Sequence, residues 1–140
     1  MTVPAAVARD DIRLTWRRRL PALLAVGIAR ILARRSPRRI RAVLTRCRAG
    51  ARPAGYPDAS AARHAVVAVS VLCAGEGCLQ RSIATALLCR FGGSWPTWRV
   101  GVRVEPFGAH AWVEAEGRLV DEPYPPGSYR PILSVLPSPA

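Results

Sequence analysis

The hydrophobic pattern changes period once along this chain, and that change limits the fold more than any other feature. Up to about Phe91 the apolar residues recur at three- and four-residue spacing, the repeat of a helix; from Trp98 they alternate with polar residues, the repeat of a strand. Leu20, Leu23, Leu24, Ile28, Ile31 and Leu32 recur at helical spacing around Pro21, a good first-turn residue, and predict a helix whose apolar stripe is covered by the body of the protein, a partner or a lipid surface, with packing on the body and partner expected. A second helix is predicted behind Ser36 as cap and Pro37 as first residue, with Ile40, Val43, Leu44 and Cys47 on one face and Gly50 as its end. A third runs over 59–72, with "HAVVAVSVL" largely buried, and a fourth from Cys78 to Gly92-Gly93. Val100, Val102 and Val104 then alternate with Gly101, Arg103 and Glu105. Residues 109–115 and 118–122 read as two more strands turning at Glu116-Gly117, and the proline-rich tail from Pro123 reads as extended. Helices followed by strands imply an α+β fold: a helical N-terminal half, then a helix packed on a short antiparallel sheet. "AGARPAGYPDAS" (49–60) breaks the periodicity and reads as a linker between an arginine-rich region, 1–50, and a core, 51–140, the two forming one compact unit.

Charge is distributed very unevenly. All 21 basic residues are arginine, and residues 1–50 hold 13 of them against Asp10 and Asp11, a net +11 of the chain's +12. A basic end on a nearly neutral body suggests either a solvated helix face or a docking surface for an anionic partner: an acidic peptide, a protein, a membrane face touched peripherally, or nucleic acid. A role in binding nucleic acid is not expected to be the function. The apolar run from Leu20 to Ala29 is too short to span a bilayer and leads into Arg30 without a signal-peptidase site. A cytoplasmic location with reduced thiols is therefore expected for Cys47, Cys73, Cys78 and Cys89. Their spacing contains no C-x-x-C pair, so a structural zinc site is not expected, and thiol chemistry itself implies no metal or other cofactor.

The chemistry-bearing stretch is "GAHAWVEAEGRLVDE", 108–122. With a two-residue turn at 116–117, residue 112 faces 121 and 110 faces 123, so His110 and Asp121 become diagonal neighbours on one face. That spacing lets the carboxylate orient the imidazole. A one-residue change of parity would exchange Asp121 for Glu122. The nucleophile is read as Cys78, which follows Gly75 and Gly77 at a helix start, where free N–H groups and the helix dipole favour a thiolate. Cys78, His110 and Asp121 together make the thiol version of a nucleophile–base–orienter triad. Cys73 and Cys89 are read as core, Trp112 as a wall beside His110, and Ser82 and His64 as structural.

Three blocks carry a family resemblance: Cys78, Leu79, Arg81 and Ser82; Gly101, Val102, Pro106 and Phe107; and "AHAWVE", 109–114. In this order they resemble the cysteine proteases that mature lasso peptides, proteins with a transglutaminase-like fold. The resemblance covers roughly residues 60–125. It implies removal of a leader peptide from a lasso-peptide precursor, with Cys78 as nucleophile, His110 as base and Asp121 as orienting acid. It also implies a stand-alone protease half that works with a separate leader-recognition protein and an ATP-dependent macrolactam synthetase. Two other classes stay open on the residues alone. The same triad could serve a transglutaminase-like acyltransferase, and the arginines could mark a non-enzymatic binding module for membrane or nucleic acid.

Overall fold

The computed structural model describes residues 15–139. The first fourteen residues, with Asp10 and Asp11, lie outside the described residues. Helix α1 spans Trp16–Leu32 and α2 Pro37–Cys47; a two-residue strand β1, Arg52–Pro53, leads to α3, Tyr56–Val69, and a single turn α4, Val71–Ala74. Helix α5, Cys78–Phe91, is followed by β2, Ser94–Trp95, β3, Thr97–Val104, β4, Phe107–Ala115, β5, Arg118–Leu119, and β6, Arg130–Val135. The main sheet is antiparallel in the order β5-β4-β3-β6, while β1 and β2 form a separate parallel pair. Among the described residues this is the expected α+β arrangement, helices first and sheet second.

Helix α5 is the centre. Every residue from Arg81 to Leu87 is buried, the pattern of a helix covered on all sides. Helices α1 and α3 pack on it from one side, and β4 and β3 from the other. Trp95 and Trp98 are fully buried, and the Trp98 indole N–H donates to Ser82 Oγ at 3.0 Å, which locks β3 to α5. The core continues across residue 50, because Ala25, Val26, Ile40 and Leu44 belong to the same buried cluster as Val66, Ile83 and Trp98.

Local chemistry explains the helix boundaries. Ser36 Oγ accepts from Arg39 N at 3.3 Å and Pro37 opens α2, as the sequence predicts. The single helix expected over 59–72 is instead two: the backbone turns extended at Ser70, whose hydroxyl caps α4 by accepting from Cys73 N. The expected linker is shorter than 49–60, since β1 lies within it and α3 already begins at Tyr56. Helix α1 starts five residues before Pro21, where the missing N–H forfeits only one bond near the helix start. The tail is not merely extended: β6 pairs along β3, with Val100 opposite Leu133 and Trp98 opposite Val135.

The face that α1 buries differs from the expectation. Ala22, Ala25, Val26, Ala29 and Leu32 are buried, whereas Leu20, Leu24 and Ile31 are 58%, 58% and 64% exposed. Alanines at three- and four-residue spacing let α1 approach α5 closely, and the larger side chains are left on the opposite face. Enlarging the alanine face should therefore overpack it. Ala25→Leu or Ala29→Leu is expected to cost about 1–3 kcal/mol, while Leu24→Ala should stay within about 0.5 kcal/mol. Chemical denaturation of the three variants checks the orientation; a larger loss for Leu24→Ala would show that the helix is turned the other way.

Candidate active site

Cys78 is the first residue of α5, and the loop before it is built tightly. A Cβ on Gly77 would lie 2.7 Å from the Leu72 carbonyl oxygen, so only glycine fits there. Arg81, buried one turn into the helix, donates from one guanidinium nitrogen to the carbonyls of Cys73 and Gly75, at 2.9 and 3.1 Å. Those bonds fix the approach to Cys78 and place a cation near its sulfur. Gly77 offers no side chain to cap α5, and the Cys78 amide itself donates to the Glu76 carbonyl at 2.9 Å.

His110 comes from β4, directly opposite Gly101 on β3. Gly101 is required by its neighbours, since a Cβ there would sit 2.7 Å from the Trp112 ring and 2.8 Å from the Arg130 carbonyl. The Trp112 ring stacks on His110 with centroids 5.9 Å apart, and Tyr124 and Tyr129 close around the imidazole at 5.3 and 5.2 Å. Trp112 is thus the expected wall. The two tyrosines come from the segment between β5 and β6, a contribution that the residue pattern did not signal.

The structure brings Cys78 and His110 together but gives His110 a different carboxylate. Its Nε2 lies 2.5 Å from Glu122 Oε1, which leaves Nδ1 for the Cys78 sulfur. Asp121 points elsewhere. Its carboxylate accepts from the Tyr56 hydroxyl at 3.1 Å and the Ser60 hydroxyl at 2.5 Å, and lies 3.5 Å from His64 Nε2. The Tyr56 oxygen also accepts from the Asp121 amide at 3.1 Å. Asp121 therefore ties the chain to α3 rather than orienting His110. His64, for which the sequence shows no partner, meets Asp121 as well.

The physical reason for this correction is one backbone angle. The hairpin register is the expected one: Ala115 faces Arg118, Glu114 faces Leu119, and Val120 N still donates to Val113 O at 3.1 Å. Asp121 then adopts φ +51°, which ends the strand and reverses the alternation of side chains. Glu122 consequently occupies the side that Asp121 would have taken in a continued strand. Aspartate is among the few non-glycine residues that tolerate this region. The Glu122 side chain is 3% exposed and also meets Arg63 of α3 at 3.4 Å. In the sequence Glu122 stands only as the alternative to Asp121, and Arg63 carries no signal, because their pairing depends on a helix that packs more than fifty residues away.

Electrostatics single out one of the four thiols. Burial raises the pKa of Cys47 and Cys73 and carries Cys89 up to about 12. Burial is also the largest influence on Cys78. There it is outweighed by hydrogen bonds from His110 and the Ala111 amide and by the charges of His110 and Arg81, so the thiol is lowered. Burial opposes the charge of His110 too, but the hydrogen bonds and charges of Cys78 and Glu122 outweigh it and raise the imidazole to about 9. Both shifts favour a thiolate–imidazolium pair held by a buried carboxylate.

A transglutaminase-like superfamily model matches residues 22–134. The chain belongs to the transglutaminase-like superfamily. The match takes in α1 and α2 as well as the thiol-bearing helix and the sheet, so the arginine-rich helices fall within the superfamily domain from residue 22 onward. No curated protein and no solved structure gave a significant match. Among the described residues no cluster of His, Cys, Asp and Glu is arranged to hold a metal ion, and no helix is long and apolar enough to cross a membrane.

The ion pair sets a pH window. Its charged form persists from the lowered thiol pKa up to the imidazole's value of about 9. Alkylation of Cys78 should therefore stay fast below the ordinary thiol range, while a reaction that needs the imidazolium should fall as pH rises through about 9. In His110→Ala, the hydrogen bond and charge that help to outweigh burial are lost, and the alkylation profile should move to higher pH. An unmoved profile, followed by mass spectrometry of Cys78 adducts, would show that the thiol is not paired with His110.

Proposed function

We propose that this protein is a cysteine peptidase that removes the leader from a lasso-peptide precursor, with Cys78 as nucleophile, His110 as acid–base and Glu122 as the orienting carboxylate. The observation that carries the peptidase chemistry is the placement of Cys78, at the start of α5, beside an imidazole whose Nε2 is held by the buried Glu122 carboxylate, an environment that lowers the thiol. The three sequence blocks around Cys78, Gly101 and His110 support the specific substrate by resemblance.

The chemistry follows from the resting charges. The Cys78 thiolate adds to the carbonyl carbon at the leader–core junction, and the negative charge moves to the carbonyl oxygen. As the tetrahedral species collapses, the C–N bond breaks and the imidazolium proton passes to the departing amine. The core peptide leaves with a free N-terminus, and the leader remains as a thioester on Cys78. Neutral His110 then takes a proton from water as the water oxygen adds to the thioester carbonyl; the C–S bond breaks, the leader leaves with a C-terminal carboxyl group, and the proton kept on the imidazole restores the thiolate–imidazolium pair. Glu122 holds the imidazole with Nε2–H toward itself throughout, so that Nδ1 faces the sulfur and substrate. Delivery of the precursor by a separate leader-recognition protein, and use of the freed core by an ATP-dependent macrolactam synthetase, complete the proposal.

Cys78→Ala should abolish cleavage of a precursor presented with its recognition protein, with product masses as the readout. Glu122→Gln keeps the shape of the carboxylate but cannot hold the same imidazole charge and tautomer. It should lower turnover by roughly two to four orders of magnitude, by analogy with the acid of serine triads. Asp121→Asn should act mainly on stability, because its carboxylate faces Tyr56 and Ser60. Larger loss of turnover in Asp121→Asn than in Glu122→Gln would overturn the assignment. A product joined to an added amine instead of water would identify an acyltransferase built on the same site.

A further inference from the structure

Helix α1 has two apolar faces, and among the described residues only one is packed. Opposite the buried alanines lie Trp16, Leu20, Leu23, Leu24, Ile28 and Ile31, all exposed, from 39% at Ile28 to 67% at Trp16. On a 3.6-residue repeat they form one stripe along a helix of 17 residues, about 25 Å long. Val71 and Leu72 of α4 border the same groove as Leu23 and Gly27 and extend the apolar surface. A solvent-facing stripe of this size has no role in folding and lowers solubility unless something covers it.

The charge around the stripe indicates what covers it. Between Asp11 and Asp58 the chain holds 13 arginines and no acid. Arg17, Arg18, Arg19, Arg30, Arg34 and Arg35 are all exposed along or just beyond α1. Helix α1 itself carries no carboxylate; Asp58 borders one end of it, beside Arg17, Arg18 and Pro21, and Glu76 follows α4, so the rim is predominantly cationic and offers few carboxylates to the basic groups of a protein partner. An apolar stripe ended by tryptophan and flanked by arginines is the composition of a helix that lies in a bilayer interface. The helix is not apolar enough to cross the bilayer. The placement also suits this role: α5 separates α1 from the sheet that carries His110, so the stripe faces away from the site.

We propose that the outer face of α1 seats this protein on an anionic lipid bilayer, with the apolar stripe in the acyl boundary and the arginines on the headgroups. The proposal does not depend on the peptidase reading.

Sedimentation of the full chain with vesicles of phosphatidylglycerol and phosphatidylcholine tests it. The protein should pellet with the mixed vesicles and much less with phosphatidylcholine alone. Binding should weaken at about 0.5 M salt, where exposed charges are strongly screened. The triple variant Leu20→Gln, Leu24→Gln, Ile28→Gln should lose affinity by about tenfold or more. Its residues are exposed, so its fold and its Cys78 alkylation rate should be kept. Trp95, Trp98 and Trp112 are buried, which makes Trp16 the exposed tryptophan; vesicles should shift fluorescence to the blue in the parent chain and not in Trp16→Phe. Absence of binding by the parent chain, equal binding to neutral vesicles, or full binding by the triple variant would each overturn the proposal. Loss of partner-delivered cleavage in the triple variant, with no vesicle binding by the parent chain, would assign the face to a protein instead.

Discussion

Helix α5 has no solvent face through its middle turns, and the rest of the molecule is arranged around that requirement. Residues 81 to 87 must all be covered, which takes two helices and a sheet. Small residues make this cover close: Ala84 and Ala86 on α5, Ala25 and Ala29 on α1, and Ala59, Ala62 and Ala65 on α3 are all buried. Close packing also fixes direction. Once α5 is enclosed, its N-terminus has one place to emerge, beside β4, and Cys78 is carried there. The buried Arg81 uses its donors on the loop carbonyls before the helix, so the charge that helps the thiolate is held by the same bonds that shape the loop.

The site relies on charges that offset one another in a partly buried setting. Glu122 is almost wholly buried and would be costly alone; Arg63 and His110 meet its two oxygens. His110 gains its proton from that carboxylate and from the Cys78 sulfur, and Cys78 gains its negative charge from His110 in return. Aromatic rings from Trp112, Tyr124 and Tyr129 surround the imidazole. They limit water around the pair, and this strengthens the electrostatic coupling. Asp121 serves a different purpose. By holding Tyr56, Ser60 and its own left-handed backbone together, it keeps Glu122 turned toward His110.

Much of this was legible in the residues. The change of period at Pro96 separated helices from sheet, Ser36-Pro37 marked the start of α2, and Glu116-Gly117 set the hairpin register that the backbone shows. Cys78 stood out because glycines precede it at a helix start, and His110 because it is one of only two histidines. Strand β6 was not legible, since Pro131 and the prolines around it read as a loop, yet an edge strand tolerates proline.

The sequence by itself determined most of the elements, β6 and the break at Ser70 apart, and which thiol and imidazole could meet, because period, caps and turns are local properties of the chain. Tertiary structure decided two things that local pattern cannot express. Helix α1 carries apolar residues on both faces, and the face that is buried is the one whose small side chains permit the closest approach to α5. The acid on His110 is Glu122 rather than Asp121 because a single residue takes positive φ and reverses the alternation. Contacts with Tyr56 and Ser60, some sixty residues away along the chain, hold it in that conformation.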